Sequence, residues 1–210
     1  MDNLLQHAVL VFFGFFAIMN PIANTTIFIA LTAGESKATQ RAIAMRATIF
    51  TFCLILIFCL LGKLIFELFG ISMAAFRITG GGLVFLIGFH MLQGSPSKVQ
   101  SSTKDDQKSA KEAKLGVAIS PLATPIMAGP GTIATAMNYT AKESLAQSIV
   151  TIIIFAILCL ITLVFFLFGQ RIVQVIGECA INVITRLMGL LLAVIGMQMA
   201  LEGIRAAKIF

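Results

Sequence analysis

Apolar residues in this 210-residue chain come in long runs, not in the short stripes of a half-buried soluble helix or strand. A run needs about 20 residues to cross roughly 30 Å of hydrocarbon as a helix. Six runs meet that requirement or approach it, at 8–33, 44–66, 78–93, 115–140, 146–168 and 183–203. Polar positions gather between them. The one extended polar tract, Gly94 to Lys114, is rich in Ser, Lys, Asp and Gln and reads as a cytoplasmic linker. The pattern predicts a single membrane domain over 1–210, with repeat one at 1–94, the linker at 95–114 and repeat two at 115–210. Three spans per repeat is an odd number, so a duplicated second half enters the membrane in the opposite orientation. The expected fold is an all-α integral membrane protein of six transmembrane helices. They form two inverted-topology three-helix repeats, the first helix of each broken at proline.

The breaks are the most informative local feature. Met19-Asn20-Pro21-Ile22-Ala23-Asn24-Thr25-Thr26 interrupts the first run, and Ser120-Pro121-Leu122-Ala123-Thr124-Pro125 with Ala128-Gly129-Pro130-Gly131-Thr132 interrupts the fourth. Proline inside a helix removes one backbone donor and frees the carbonyl four residues earlier. Freed groups are tolerated in hydrocarbon only where protein or a watery cavity satisfies them. Paired interruptions in two halves point to a transporter's substrate site. Asn20-Pro21 also has the chemistry of a helix start, with Asn as N-cap and Pro at the first helical position, and Gly129-Pro130 has the same form. Each break thus predicts a half-helix whose N-terminal amides and partial positive charge suit a carboxylate. The freed carbonyls of Ala17, Pro121 and Ile126 suit an ammonium group or a cation. The expected substrate-binding residues are Asn20, Pro21, Asn24, Thr25, Thr124, Pro125, Gly129, Pro130, Gly131 and Thr132.

Other landmarks recur at the same spacing. Pro21 and Pro130, Arg77 and Arg186, Gly80 and Gly189, and Gly94 and Gly203 are each 109 residues apart, and Gly81 and Gly88 pair with Gly189 and Gly196 at 108. The glycines of the third and sixth spans read as close-packing faces. Arg77 and Arg186, opening those spans, are expected to anchor helix ends at headgroups.

Composition sharpens the class. A mean hydropathy of +1.00 with 59% hydrophobic and 11% charged residues excludes an ordinary soluble domain. The net charge of +6 divides between alternate loops. Lys37, Arg41, Arg46, Lys98, Lys104, Lys108, Lys111, Lys114, Arg171 and Arg186 fall on one side; Lys63, Arg77, Lys142, Arg205 and Lys208 fall on the other. The richer side is expected to be cytoplasmic, with both termini outside. Anionic lipid then accounts for the basic excess without nucleic acid. Met1-Asp2-Asn3 lacks the basic start of a signal peptide, so the first run is expected to be a span. Cys53, Cys59, Cys159 and Cys179 form no C-x-x-C pair and read as small hydrophobes.

The nine acids, Glu67, Glu178 and Glu202 among them, fall in loops or near span ends, so no mid-membrane carboxylate invites a cationic substrate or a proton relay. His90 reads as an interfacial or packed imidazole, and His7 carries no signal. No catalytic motif emerges, so an enzyme is not expected. Neither cofactor nor metal is expected either; a coupling Na+ or H+ is left open, with no intramembrane carboxylate to indicate it. The partners are then a small-molecule substrate and the bilayer, with a homo-oligomer left open. The leading reading is a secondary transporter of a small neutral amino acid or similar zwitterion across the cytoplasmic membrane. Its alternatives are a transporter of a lipid-linked or amphipathic compound and a non-transporting membrane partner protein.

The segments MNPIANTTIFIALT, RITGGGLVFLIGFHML, SPLATPIMAGPGTIATAM and RLMGLLLAVIGMQMALEGI resemble the MarC family of bacterial integral membrane proteins, related to the neutral amino acid transporter group. The resemblance covers essentially the whole chain. It implies a multi-pass inner-membrane protein of six spans, with some relatives assigned to glycine and other small neutral amino acids. Asn20 stands where aspartate is equally expected, and Thr26 where relatives often carry proline.

Overall fold

A computed structural model describes residues 2–94, Leu122, 127–140 and 144–207. The described residues form α1 (Asp2–Met19), α2 (Pro21–Leu31), α3 (Lys37–Phe69), α4 (Met73–Leu92), α5 (Pro130–Thr140), α6 (Leu145–Leu167), α7 (Gly169–Ile176) and α8 (Glu178–Ala206). Five segments are long and apolar enough to cross a membrane: Leu4–Leu31, Lys37–Gly62, Met73–Leu92, Leu145–Leu167 and Cys179–Ala206. Of the span expected at 115–140, Leu122 and residues 127–140 are described, with α5 as its helical part. The linker at 95–114 lies outside the described residues.

Helix ends follow capping chemistry more closely than the apolar runs. Ser36, Ser72 and Ser144 accept bonds from the amides of Thr39, Ala75 and Gln147 at 3.2, 3.1 and 3.4 Å. Gln147 reaches back to the Ser144 amide at 3.1 Å, completing a capping box. Consequently α3 begins at Lys37, seven residues before the expected 44, and carries Arg41 and Arg46 inside it. The last span runs from Glu178 to Ala206, where 183–203 was expected. Long cationic side chains let a helix continue past its apolar window, because the stem stays on apolar surface while the charge reaches water.

The fold buries hydroxyls and exposes hydrocarbon, the reverse of a soluble bundle. Ile49, Ile57, Leu60 and Leu64 line the outside of α3, and Ile149, Ile153, Ile157, Leu160 and Val164 that of α6. Inside lie Thr25, Thr48, Thr51, Thr132, Thr135, Thr151 and Thr162. Several of these return their hydroxyl to the preceding helical turn, as Thr48 does to Ala44 (2.8 Å) and Thr162 to Leu158 (2.8 Å). Phe15 joins α1 to α5 and α6 through Tyr139 and Phe155, with ring centroids 5.7 and 4.8 Å away.

The most extensive helix pair is α4 with α8, and glycine is its cause. A Cβ built at Gly81 would sit 2.6 Å from the carbonyl oxygen of Gly196, and one at Gly196 would sit 2.6 Å from that of Gly81. Gly88 and Gly189 answer each other in the same way, at 2.6 and 2.8 Å. Rising numbers on α4 meet falling numbers on α8, so the two helices are antiparallel. The seven-residue glycine spacing lets their backbones touch, and close contact of this kind drives association where lipid offers no hydrophobic gain.

Gly196→Ala should destabilise the protein by ~1–3 kcal/mol, because its methyl meets backbone that cannot move aside. Gly82, with nothing within 4 Å of its Cβ position, is the control: Gly82→Ala should be neutral or stabilising by up to ~1 kcal/mol. Equilibrium unfolding in micelles compares the two.

Candidate solute site at two helix breaks

The first break turns on Asn20. It is the one non-glycine residue with positive φ among the described residues, at φ 37° and ψ 70°. Asparagine enters this left-handed region more cheaply than most residues because its short amide bonds the local backbone. Its Oδ1 accepts from the Ala23 amide at 3.3 Å, capping α2, while Pro21 fills the first helical position. Asn24, one turn into α2, donates its side-chain amide back to the Met19 carbonyl at the end of α1. Thr25 donates to Pro21 (2.7 Å) and Thr26 to Ala23 (2.7 Å). Asn20, Asn24 and Thr25 are all buried.

The second break repeats this solution with different side chains. Gly129 is buried and Pro130, exposed, opens α5. Thr132 is fully buried and donates its hydroxyl to the Met127 carbonyl at 3.0 Å. In both breaks a polar side chain in the first turn or so of the new helix reaches five residues back to a carbonyl that ends the preceding segment. The first-turn amides of Gly131 and Thr132 have no acceptor within α5. Thr124 and Pro125, together with Pro121 and Ile126, lie outside the described residues.

The two breaks adjoin. A Cβ at Gly131 would fall 2.9 Å from Ile18 Cδ1 and 2.6 Å from Ile87 Cδ1, so the start of α5 rests against the last turn of α1, two residues from Asn20. Asn20 also extends its amide to the Thr185 hydroxyl on α8 at 3.5 Å, a long contact. Of the expected residues, Asn20, Pro21, Asn24, Thr25, Gly129, Gly131 and Thr132 are buried and Pro130 is exposed; Gly131 meets the end of α1, whereas the Thr25 methyl faces Gly169 at the start of α7. The δ-methyls of Ile18 and Ile87 occupy the space beside Gly131. Beyond it, the buried Thr135 hydroxyl, one turn along α5, finds no partner among the described residues, nor does the buried Tyr139 hydroxyl a turn further.

The far end of α5 holds groups that the sequence reading missed. Arg77 is buried, and its Nε donates to Asn138 Oδ1 at 2.7 Å while its Nη1 lies 3.5 Å from the Glu202 carboxylate. The expectation that Arg77 anchors at headgroups is therefore corrected: a guanidinium near a span end was closer to an amide and a carboxylate on two other helices than to the surface. His7, expected to carry no signal, bonds the Thr151 hydroxyl at 2.9 Å and meets Tyr139 edge-on at 6.3 Å. The positions 109 residues from Arg77, Asn138 and Glu202 hold Arg186, Ile29 and Gln93, which cannot form the same ionic clamp. There Arg186 Nη2 lies beside Gly94, 3.2 Å from where a Cβ would be. Ile29 lines a cleft of about 340 Å³ between α2, α3, α6 and α7. One end of the bundle is thus clamped and the corresponding place at the other is open.

Comparison with known proteins places the chain among proteins of the same kind. The description "MarC family integral membrane protein" matches residues 5–208. UPF0056 membrane protein YvbG of Bacillus subtilis is 41% identical over 196 residues, covering 93% of this chain and 92% of the relative. UPF0056 membrane protein MJ1677 of Methanocaldococcus jannaschii is 36% identical, covering 97% and 98%. UPF0056 membrane protein YhcE of Escherichia coli is 34% identical, covering 92% and 90%. No solved structure gives a significant match.

Asn138→Ala should cost ~1.5–3 kcal/mol, the range for a hydrogen bond to a charged group. Asn20→Gly should preserve stability within ~0.5 kcal/mol, whereas Asn20→Val, strained at positive φ, should lose ~1–3 kcal/mol. Unfolding equilibria of the three variants in micelles read these differences.

Proposed function

Because this chain belongs to the MarC family of integral membrane proteins, we propose that it is a secondary transporter whose substrate binds where the two helix breaks adjoin. The observation that carries the reading is the contact of Gly131 with Ile18, which brings the start of α5 against the last turn of α1, two residues before the first break. Two half-helix N-termini there supply amides and partial positive charge for a carboxylate. The unpartnered hydroxyls of Thr135 and Tyr139 are polar groups that a watery or solute-filled interior would satisfy. On this reading Ile18 and Ile87 close the site in the state described, and their withdrawal admits solute.

The substrate proposed is a small neutral amino acid or similar zwitterion, held by backbone and amide groups. The membrane is the cytoplasmic one, with both termini outside. The architecture proposed is six spans in two inverted repeats, the fourth span including α5. The reciprocal glycine contacts support that symmetry. A two-fold operation that exchanges Gly81 with Gly189 and Gly88 with Gly196 turns the Gly81–Gly196 contact into the Gly88–Gly189 contact.

Proteoliposomes of the full chain should accumulate labelled glycine, alanine or serine above empty vesicles. Gly131→Val, whose added methyls fill the junction, should lower that uptake at least tenfold. Flux equal to that of empty vesicles across all three would refute the substrate. Undiminished flux through a folded Gly131→Val protein would refute the site.

A further inference from the structure

The cleft at the open end has chemistry of its own. Its polar walls carry Lys37, Arg41 and Arg171, together with Gln40 and Gln170, and no acidic side chain lines it among the described residues. The stacked rings of Phe28 and Phe166, 4.6 Å between centroids and 9° from parallel, form an apolar wall. Glycine shapes it: a Cβ at Gly169 would lie 2.7 Å from Thr25 Cγ2, so only glycine lets α7 seat against α2 one turn from the first break.

Two helices begin at this cleft, both with a cation and no acid in the first turn, and two others, α2 and α6, end at it, so its side chains set its charge. The first turn of α3 contains Lys37 and no acid, and that of α7 contains Arg171 and no acid. Helix N-termini favour negative charge and disfavour cations. The α7 start also lacks a side-chain cap. Glu35, the nearest acid in sequence, is not part of the lining. Three like charges, Lys37 and Arg41 one turn apart on α3 and Arg171 on α7, thus line a concave space to which no acidic side chain contributes among the described residues. Low-dielectric walls strengthen the field in such a cleft, and guanidinium groups bind planar oxyanions through two parallel bonds.

We propose that this cleft is a binding site for an oxyanion, a phosphate or carboxylate group, held by Arg41 and Arg171 with Lys37 at the rim. A volume of about 340 Å³ admits a free anion or the headgroup of an anionic lipid, and the same contacts serve either. The assignment stands independently of transport, since it concerns the end of the bundle and not the junction of the breaks.

The test uses the full chain in nanodiscs of zwitterionic lipid, titrated with inorganic phosphate against chloride of equal ionic strength, with the thermal unfolding midpoint as readout. A parallel set contains phosphatidylglycerol. A midpoint that rises with phosphate in neutral discs identifies a soluble oxyanion. A rise confined to phosphatidylglycerol discs identifies a headgroup. Either response should weaken at least tenfold in apparent affinity in the R41Q/R171Q double variant and persist in Arg205→Gln, which alters an exposed arginine on α8. Lys37→Glu, at an exposed position, should weaken it independently and decides the matter if the double variant unfolds. A wild-type protein indifferent to both probes overturns the proposal. So do charge variants that respond as the wild type does.

Discussion

Everything in this fold answers one constraint: a peptide group inside hydrocarbon must find its hydrogen bond within the protein. An uninterrupted helix meets it automatically, and this chain twice declines to be uninterrupted. The cost is met locally, by Asn24 returning to Met19 and Thr132 to Met127. The same logic governs Thr25, Thr48, Thr151 and Thr162, which turn their hydroxyls onto their own helices, and Arg77, whose charge is shared between an amide and a carboxylate. Polar groups sit inside because water is absent outside, so the interior is where any polar solute finds partners.

Much of this was legible in the residues. Asn20-Pro21 and Gly129-Pro130 mark helix starts by capping chemistry alone, and the structure begins α2 at Pro21 and α5 at Pro130. The glycines at seven-residue spacing marked a close-packing face, and they pair in the structure. Less legible was anything that depends on which helices are neighbours. Arg77 looked like an anchor because sequence shows its distance from a span end, not the presence of Asn138 and Glu202 across the bundle. Helix ends were misplaced for a related reason: the Ser36 cap and the long stem of Arg41 extend α3 ahead of its apolar window. The short helix α7 carries too few residues to stand out from the run that precedes it.

Within the site itself, residue types were legible and their employment was not. Asn24 and Thr132 looked like solute ligands, and both are engaged with backbone carbonyls in the state described. A side chain that repairs a broken helix and one that grips a solute present the same polar atoms to a reader of sequence. The pairing of Thr135 and Tyr139 as unpartnered hydroxyls on one helix depends on three-dimensional burial and could not be read from spacing.

The cluster of Arg77, Asn138 and Glu202 has no equal at the opposite end among the described residues, where Ile29 and Gln93 stand in place of the amide and the acid. On the proposed transport reading the protein alternates between two shapes related by the two-fold, and such a one-sided latch favours one of them. If the latch is worth ~1.4 kcal/mol more than what replaces it, the favoured shape outnumbers the other about tenfold. On that reading a resting molecule faces one compartment more often than the other.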